Sequence, residues 1–160
     1  MRPVDALLAE YGESHQNKVN KAIHWVCVPL IFFSTVGLVH SIPLGPLAGL
    51  VPGEEGQYVS WATLLLGLTV VWYFRMSLSL GVGMVGVSVA MLLACTWAIA
   101  TIPAPLWQTS IVVFVLAWIG QFIGHKIEGK KPSFFKDLQF LLVGPMWLLH
   151  FAYKKVGISY

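Results

Sequence analysis

The sequence predicts an all-α integral membrane protein. The expected architecture is a bundle of four transmembrane helices, with a short N-terminal amphipathic helix and a C-terminal re-entrant or interfacial segment. Three observations carry this. The 160-residue chain is 57% hydrophobic and only 11% charged, with a mean hydropathy of +0.74, whereas a soluble domain has about 25% charged residues. Residues 76–125 contain no Asp, Glu, Lys or Arg. Several apolar stretches approach the roughly 20 residues needed to cross the hydrocarbon, and breaks rich in Pro, Gly or charge separate them. The length suits one membrane domain, residues 1–160.

Each element follows in order. Residues 4–13 read as the amphipathic helix, with Val4, Leu7, Leu8 and Tyr11 on one side, lying on the membrane surface. A polar junction, SHQNKVNK from Ser14 to Lys21, leads into a first span over residues 22–39, which Pro29 interrupts without ending. Residues 40–57 form a loop rich in Pro and Gly, in which Glu54 and Glu55 are solvated. The second span, residues 58–74, is edged by Trp61, Trp72 and Tyr73. Arg75, Met76 and Ser77 make a tight turn into the third span, residues 79–102, which Pro103 and Pro105 close. The fourth span is residues 106–124. The last apolar stretch, residues 138–153, is short and has Gly144-Pro145 near its middle, which suggests re-entry over a full crossing.

Basic residues set the orientation. Lys18 and Lys21 precede span one, Arg75 sits between spans two and three, and Lys126, Lys130, Lys131 and Lys136 follow span four. The loops after spans one and three contain neither Lys nor Arg. The positive-inside rule then places both termini and the Arg75 turn in the cytoplasm. The net charge of +3 gives no case for nucleic acid, because the lysines gather at span ends. Cys27 and Cys95 lie in apolar spans and suggest neither a disulfide framework nor a thiolate metal site.

With that topology His15, His24 and His125 come out at one membrane face, and His150 joins them if the last segment re-enters. His40 alone lies at the other face. His15 and His24 are nine positions apart, about half a turn out of alignment on one helix. They meet only if the chain turns between them, and Gln16-Asn17 supplies the turn. Asn17, Asn20 and His24 then share a face. Gln121, His125 and Glu128 do the same at i, i+4 and i+7 if the helix runs on to Glu128, where Gly129 and Pro132 mark its stop. Glu128 is better suited to accept N–H groups than to ligate. Clustered imidazoles in an apolar setting are costly without a partner, and a metal satisfies several at once. Metal binding needs neutral imidazoles, so affinity falls as pH drops through the titration range, ~6.5 for an unperturbed group.

YGESHQNKVNKAIHWVCVPLI resembles the pattern Tyr-x3-His-x-Asn-x2-Asn-x3-His-x4-Pro of a small membrane family, that of the yeast 2-hydroxy-palmitate dioxygenase of fatty acid α-oxidation and its bacterial relatives. QFIGHKIEGKKPSF resembles the second motif of that family, with Ile127 where an aromatic is common. The resemblance implies an Fe(II)-dependent dioxygenase. From a 2-hydroxy fatty acid and O2 it would yield a fatty acid one carbon shorter. The family's histidines fall on His15, His24 and His125, as catalytic residues and metal ligands, with His150 as a further candidate in GPMWLLHFAYKKVGI. Asn17, Asn20, Gln121 and Glu128 would support the ligands, and Lys126 or Lys130 would pair with the substrate carboxylate.

Other signals have plainer readings. Gly81 to Gly86 spells GxGxxG without a βαβ unit around it, so close helix packing explains it. Trp97, Trp107 and Trp118 read as belt or packing residues. A diiron hydroxylase or desaturase would need closely paired histidines such as HxxxH, and none is present. The standing alternative is a non-enzymatic membrane or lipid-binding protein with a structural metal site.

Overall fold

The computed structural model describes residues 2–45, 48, 59–129 and 140–160. Glu54, Glu55, Lys130, Lys131, Pro132 and Lys136 lie outside the described residues, as does the start of the last apolar stretch. Among the described residues the fold is all-helical, with α1 at Pro3–Glu13, α2 at Lys18–His40, α3 at Trp61–Met76, α4 at Leu78–Thr101, α5 at Leu106–Glu128 and α6 at Val143–Val156. Three helices, α2, α4 and α5, are long and apolar enough to cross a membrane, while α3 is apolar but only 16 residues long.

Side-chain chemistry explains the helix ends. Asn17 caps α2, its side-chain oxygen accepting from the amides of Val19 and Asn20 at 2.8 and 3.4 Å. Ser60 and Thr63 form a reciprocal capping box at the start of α3. Ser77 ends α3 and caps α4, which makes the turn between them as tight as the sequence predicts. Gly129, at φ 75°, ends α5 after Glu128, in the left-handed conformation that glycine adopts without penalty. Helix α2 runs through Pro29 unbroken.

Two sequence expectations are corrected. Gly144-Pro145 falls in the first turn of α6, not in its middle. Proline is tolerated there because first-turn amides have no partner inside the helix. Helix α1 buries its apolar face on protein: Val4, Leu8 and Tyr11 join Val143, Met146, Trp147 and Leu148 of α6 in one core cluster. Leu7 stays half-exposed.

The central seam is α2 against α5. Buried residues on α2 include Asn20, His24, Cys27, Ile31 and Ser34, and on α5 Ser110, Ala117, Gln121 and Gly124. These are heptad-like spacings, which keep two helices in contact along their length. The approach is close because small residues face one another. A β-carbon on Gly124 would lie 2.4 Å from Asn20 Oδ1, one on Gly120 2.6 Å from Cys27 Sγ, and one on Gly37 2.3 Å from Ser110 Oγ. Without a hydrophobic drive between helices in lipid, such backbone approach is the main source of association. Both cysteines are buried and free. Trp118 packs inside while Trp97 and Trp107 are exposed. Helix α6 packs against α1, α2 and α4, and beside it the Tyr73 hydroxyl donates to Leu142 O at 2.7 Å and the Tyr153 hydroxyl to Ser79 O at 2.9 Å.

Candidate metal centre

The turn at residues 14–17 folds the end of α1 back onto α2, so His15 and His24 meet. Their ring centroids are 4.2 Å apart, and His125, three residues before the end of α5, lies 5.4 Å from His15 and 5.1 Å from His24. All three rings are buried, at 3%, 1% and 4% exposure for His15, His24 and His125. Each offers one ring nitrogen, and those three atoms lie within 4.8 Å of one another.

Main-chain carbonyls fix two of the rings. His15 Nδ1 lies 2.6 Å from Tyr11 O and His24 Nδ1 2.9 Å from Asn20 O. Each carbonyl can only accept, so each Nδ1 carries the proton and donates. That leaves Nε2 as the lone-pair nitrogen, the usual way a protein selects a histidine tautomer for a metal. His15 Nε2 is buried with no hydrogen-bond partner among the described residues. A buried, unpartnered acceptor is costly, and a cation held between the three rings removes that cost for His15. The donor set, neutral imidazoles alone, suits Fe(II), Zn(II) or Cu(II) over Mg(II) or Ca(II).

Tyr11 has a larger part here than its place on an amphipathic face suggests. Besides lending its carbonyl, its ring stacks on His15 at 4.3 Å with planes 10° apart. Trp147 of α6 leans on both, at 5.2 Å from Tyr11 and 5.3 Å from His15. The sequence signal was the four-residue spacing of Tyr11 and His15, which puts a carbonyl beneath the imidazole only while α1 continues to Glu13.

The remaining candidates are placed as follows. Asn17 caps α2, and Asn20 donates from Nδ2 to Ser14 O at 3.1 Å and to Glu128 Oε2 at 2.8 Å. Glu128 lies outside the set of ligand atoms and accepts N–H groups from Gln16 and Asn17 as well. Gln121 is buried and shares with His24, Tyr11, Val28 and Gly144 the wall of a cavity of about 30 Å³, room for about one or two waters. Lys126 is exposed one residue beyond His125. His150 is not brought into the cluster: its Nδ1 is hydrogen-bonded to the Tyr160 hydroxyl. It nonetheless lies one turn from Trp147, which touches His15. His40 is at the far end of α2, about 24 Å along the axis from His24.

The chain is 27% identical over 153 residues to the 2-hydroxy-palmitic acid dioxygenase MPO1 of Saccharomyces cerevisiae, a match covering 94% of this chain and 79% of the yeast protein. No solved structure matches the chain. A family model described as 2-hydroxy-palmitic acid dioxygenase Mpo1-like matches residues 1–156, and the chain belongs to that Mpo1-like family.

Proposed function

We propose that the protein is an Fe(II)-dependent dioxygenase that converts a 2-hydroxy fatty acid and O2 to a fatty acid one carbon shorter, with the carboxyl carbon lost. The observation that carries this reading is the buried trio His15, His24 and His125, with ligand nitrogens within 4.8 Å of one another, in a chain of the Mpo1-like family. When bound, Fe(II) supplies redox chemistry with dioxygen and a Lewis-acidic centre that a 2-hydroxy carboxylate can chelate through two oxygens.

The chain's own residues do the rest. Tyr11 O and Asn20 O accept from Nδ1 of the first two imidazoles, which fixes their tautomer and aims their Nε2 atoms inward. Tyr11, Val28, Trp118 and Gly144 wall the site with apolar surface and keep bulk water out. Lys126, exposed beside His125, meets the substrate carboxylate as a point charge. The acyl tail needs apolar surroundings, and a groove of about 260 Å³ between α2, α4 and α6, lined by Trp25, Phe32, Met91 and Leu149 among others, offers them.

The test is anaerobic reconstitution with Fe(II), followed by oxygen uptake with 2-hydroxypalmitate and mass analysis of the product. Alanine at His15, His24 or His125 is expected to abolish both stoichiometric iron and turnover, while His40→Ala keeps both. A variant of the trio with full iron and wild-type turnover removes that residue from the ligand set. Iron held by the trio with no oxygen uptake on any 2-hydroxy acid would leave a membrane protein with a structural metal site.

A further inference from the structure

Glu128 is out of place on its own helix. It occupies the last position of α5, where the negative end of the helix dipole disfavours a carboxylate. A local rule broken without local compensation points to a role elsewhere. Its contacts show what the compensation is. The Glu128 carboxylate accepts the Gln16 amide at 2.8 Å, the Asn17 amide at 2.9 Å and Asn20 Nδ2 at 2.8 Å. It therefore sits at the positive end of α2 while ending α5.

Those three donors bracket the site. Gln16 follows His15 directly, and Asn20 Nδ2 also holds Ser14 O, on the other side of His15, at 3.1 Å. The main-chain oxygen of Asn20 receives His24 Nδ1 at 2.9 Å. His125 lies one turn before Glu128 on α5. One carboxylate is thus tied to the junction that carries His15, to the first turn of α2 that orients His24, and to the last turn of α5 that carries His125.

We propose that Glu128 is a positioning residue of the three-histidine site, one that sets the relative register of all three ligand-bearing segments without itself ligating the metal. This rests on the reading of the trio as a metal centre. Removing the carboxylate takes the acceptor from the Gln16 and Asn17 amides and leaves Asn20 Nδ2 with Ser14 O alone. The His15 junction is then free to shift against α5, and three nitrogens that must meet one cation lose their common frame. Partners one shell beyond the ligands typically change metal affinity by about 10- to 100-fold.

The experiment uses the full chain in detergent, with Co(II) as probe because its visible spectrum reports ligand geometry. Glu128→Gln keeps the shape but turns an NH2 toward amide donors. It should bind Co(II) about 10- to 100-fold more weakly than wild type, with an altered visible spectrum and unchanged far-ultraviolet helix content. Glu128→Asp, charged but shorter, should fall between. The wild type supplies a second arm that needs no variant to fold. By reciprocity of linkage, Co(II) loading should slow amide hydrogen exchange at Gln16 and Asn17. A folded E128Q with wild-type affinity and spectrum, or unchanged exchange at those amides on loading, overturns the proposal. Wild-type protein that takes up no Co(II) overturns the metal-centre reading and this one with it, whereas equal uptake by wild type and E128Q overturns only the role of Glu128.

Discussion

His15 sits where a charged imidazole is expensive. Burial pushes its pKa from the ordinary 6.5 down to about 4, and the hydrogen bond to Tyr11 O opposes this only in part. The folded state therefore prefers neutral His15, the form a metal requires. Between pH 4 and 6.5 the unfolded chain binds more protons at this residue than the folded one, so folding stability rises with pH across that window. His15 imposes no cost above pH 6.5, and its penalty grows as pH falls until the folded state also takes up the proton near pH 4. At ~1.4 kcal/mol per pH unit the full effect is about 3 kcal/mol. Denaturation of the metal-free protein in mild detergent at several pH values checks this. His15→Gln cannot titrate, so its stability should fall less than that of wild type from pH 6.5 to 4, and equal slopes would refute the assignment. The sequence's ~6.5 for an unperturbed imidazole does not hold for His15, because burial cannot be read from spacing. The histidine trio itself was legible, since a turn at Gln16-Asn17 is the only way to reconcile nine residues with one site. The carbonyl partners were not, because main-chain acceptors leave no mark in residue identity.

At the scale of elements, the glycines that the sequence singled out pack closely at two of three positions but are not the ones that build the site. GxGxxG at 81–86 was expected to mark close packing. In the structure a β-carbon on Gly81 would meet Phe74 at 2.5 Å and one on Gly83 would meet Tyr153 Oη at 2.3 Å, but one on Gly86 meets nothing within 4 Å. The glycines that build the site are Gly120 and Gly124, themselves a GxxxG pair, which let α5 approach Cys27 and Asn20. That signal was present beside the histidine motif and was masked by its polar neighbours. Two alanine substitutions separate the cases. Gly124→Ala places a β-carbon 2.4 Å from Asn20 Oδ1 and 3.4 Å from His24 Cε1. It should cost about 1–3 kcal/mol of stability through overpacking and weaken metal binding with it. Gly86→Ala enters open space in a helix and should stabilise by about 0.4–1 kcal/mol. Thermal midpoints in detergent, with and without metal, measure both, and a neutral Gly124→Ala would mean that the seam is looser than the contacts require. Helix boundaries were read to within a few residues wherever a cap or breaker was visible. The start of α6 was missed because Gly-Pro looks the same in sequence whether it opens a helix or interrupts one.

At the scale of the molecule, the contacts order the chain into alternating directions. Helix α2 leaves the histidine end, and Trp61 Nε1 donates to Pro43 O at 3.1 Å where α3 begins at the other end. Helix α3 returns, since Tyr73 and Ser79 both bond to the α6 region. Helix α4 leaves again, and α5 comes back to place Glu128 against the first turn of α2. Lys18, Lys21, Arg75, Lys126, Lys154 and Lys155 all belong to the histidine end of this path, and the described residues of the opposite end contain neither Lys nor Arg. That asymmetry is the positive-inside pattern. It holds although α3, at 16 residues, reaches only about 24 Å, short of the roughly 30 Å hydrocarbon core. The expectation is four crossings, with the histidine site and Ser159 on the cytoplasmic side and Ile42 on the other. Ile42 and Ser159 are exposed, and both native thiols are buried, so single cysteines there report cleanly. In intact cells a membrane-impermeant maleimide should label Ile42→Cys and spare Ser159→Cys until the membrane is opened. Labelling of both from outside would mean that α3 does not complete its crossing or that the chain has more than one orientation. Labelling of Ser159→Cys alone would invert the bundle and put the histidine site on the outer face, away from a cytoplasmic supply of Fe(II).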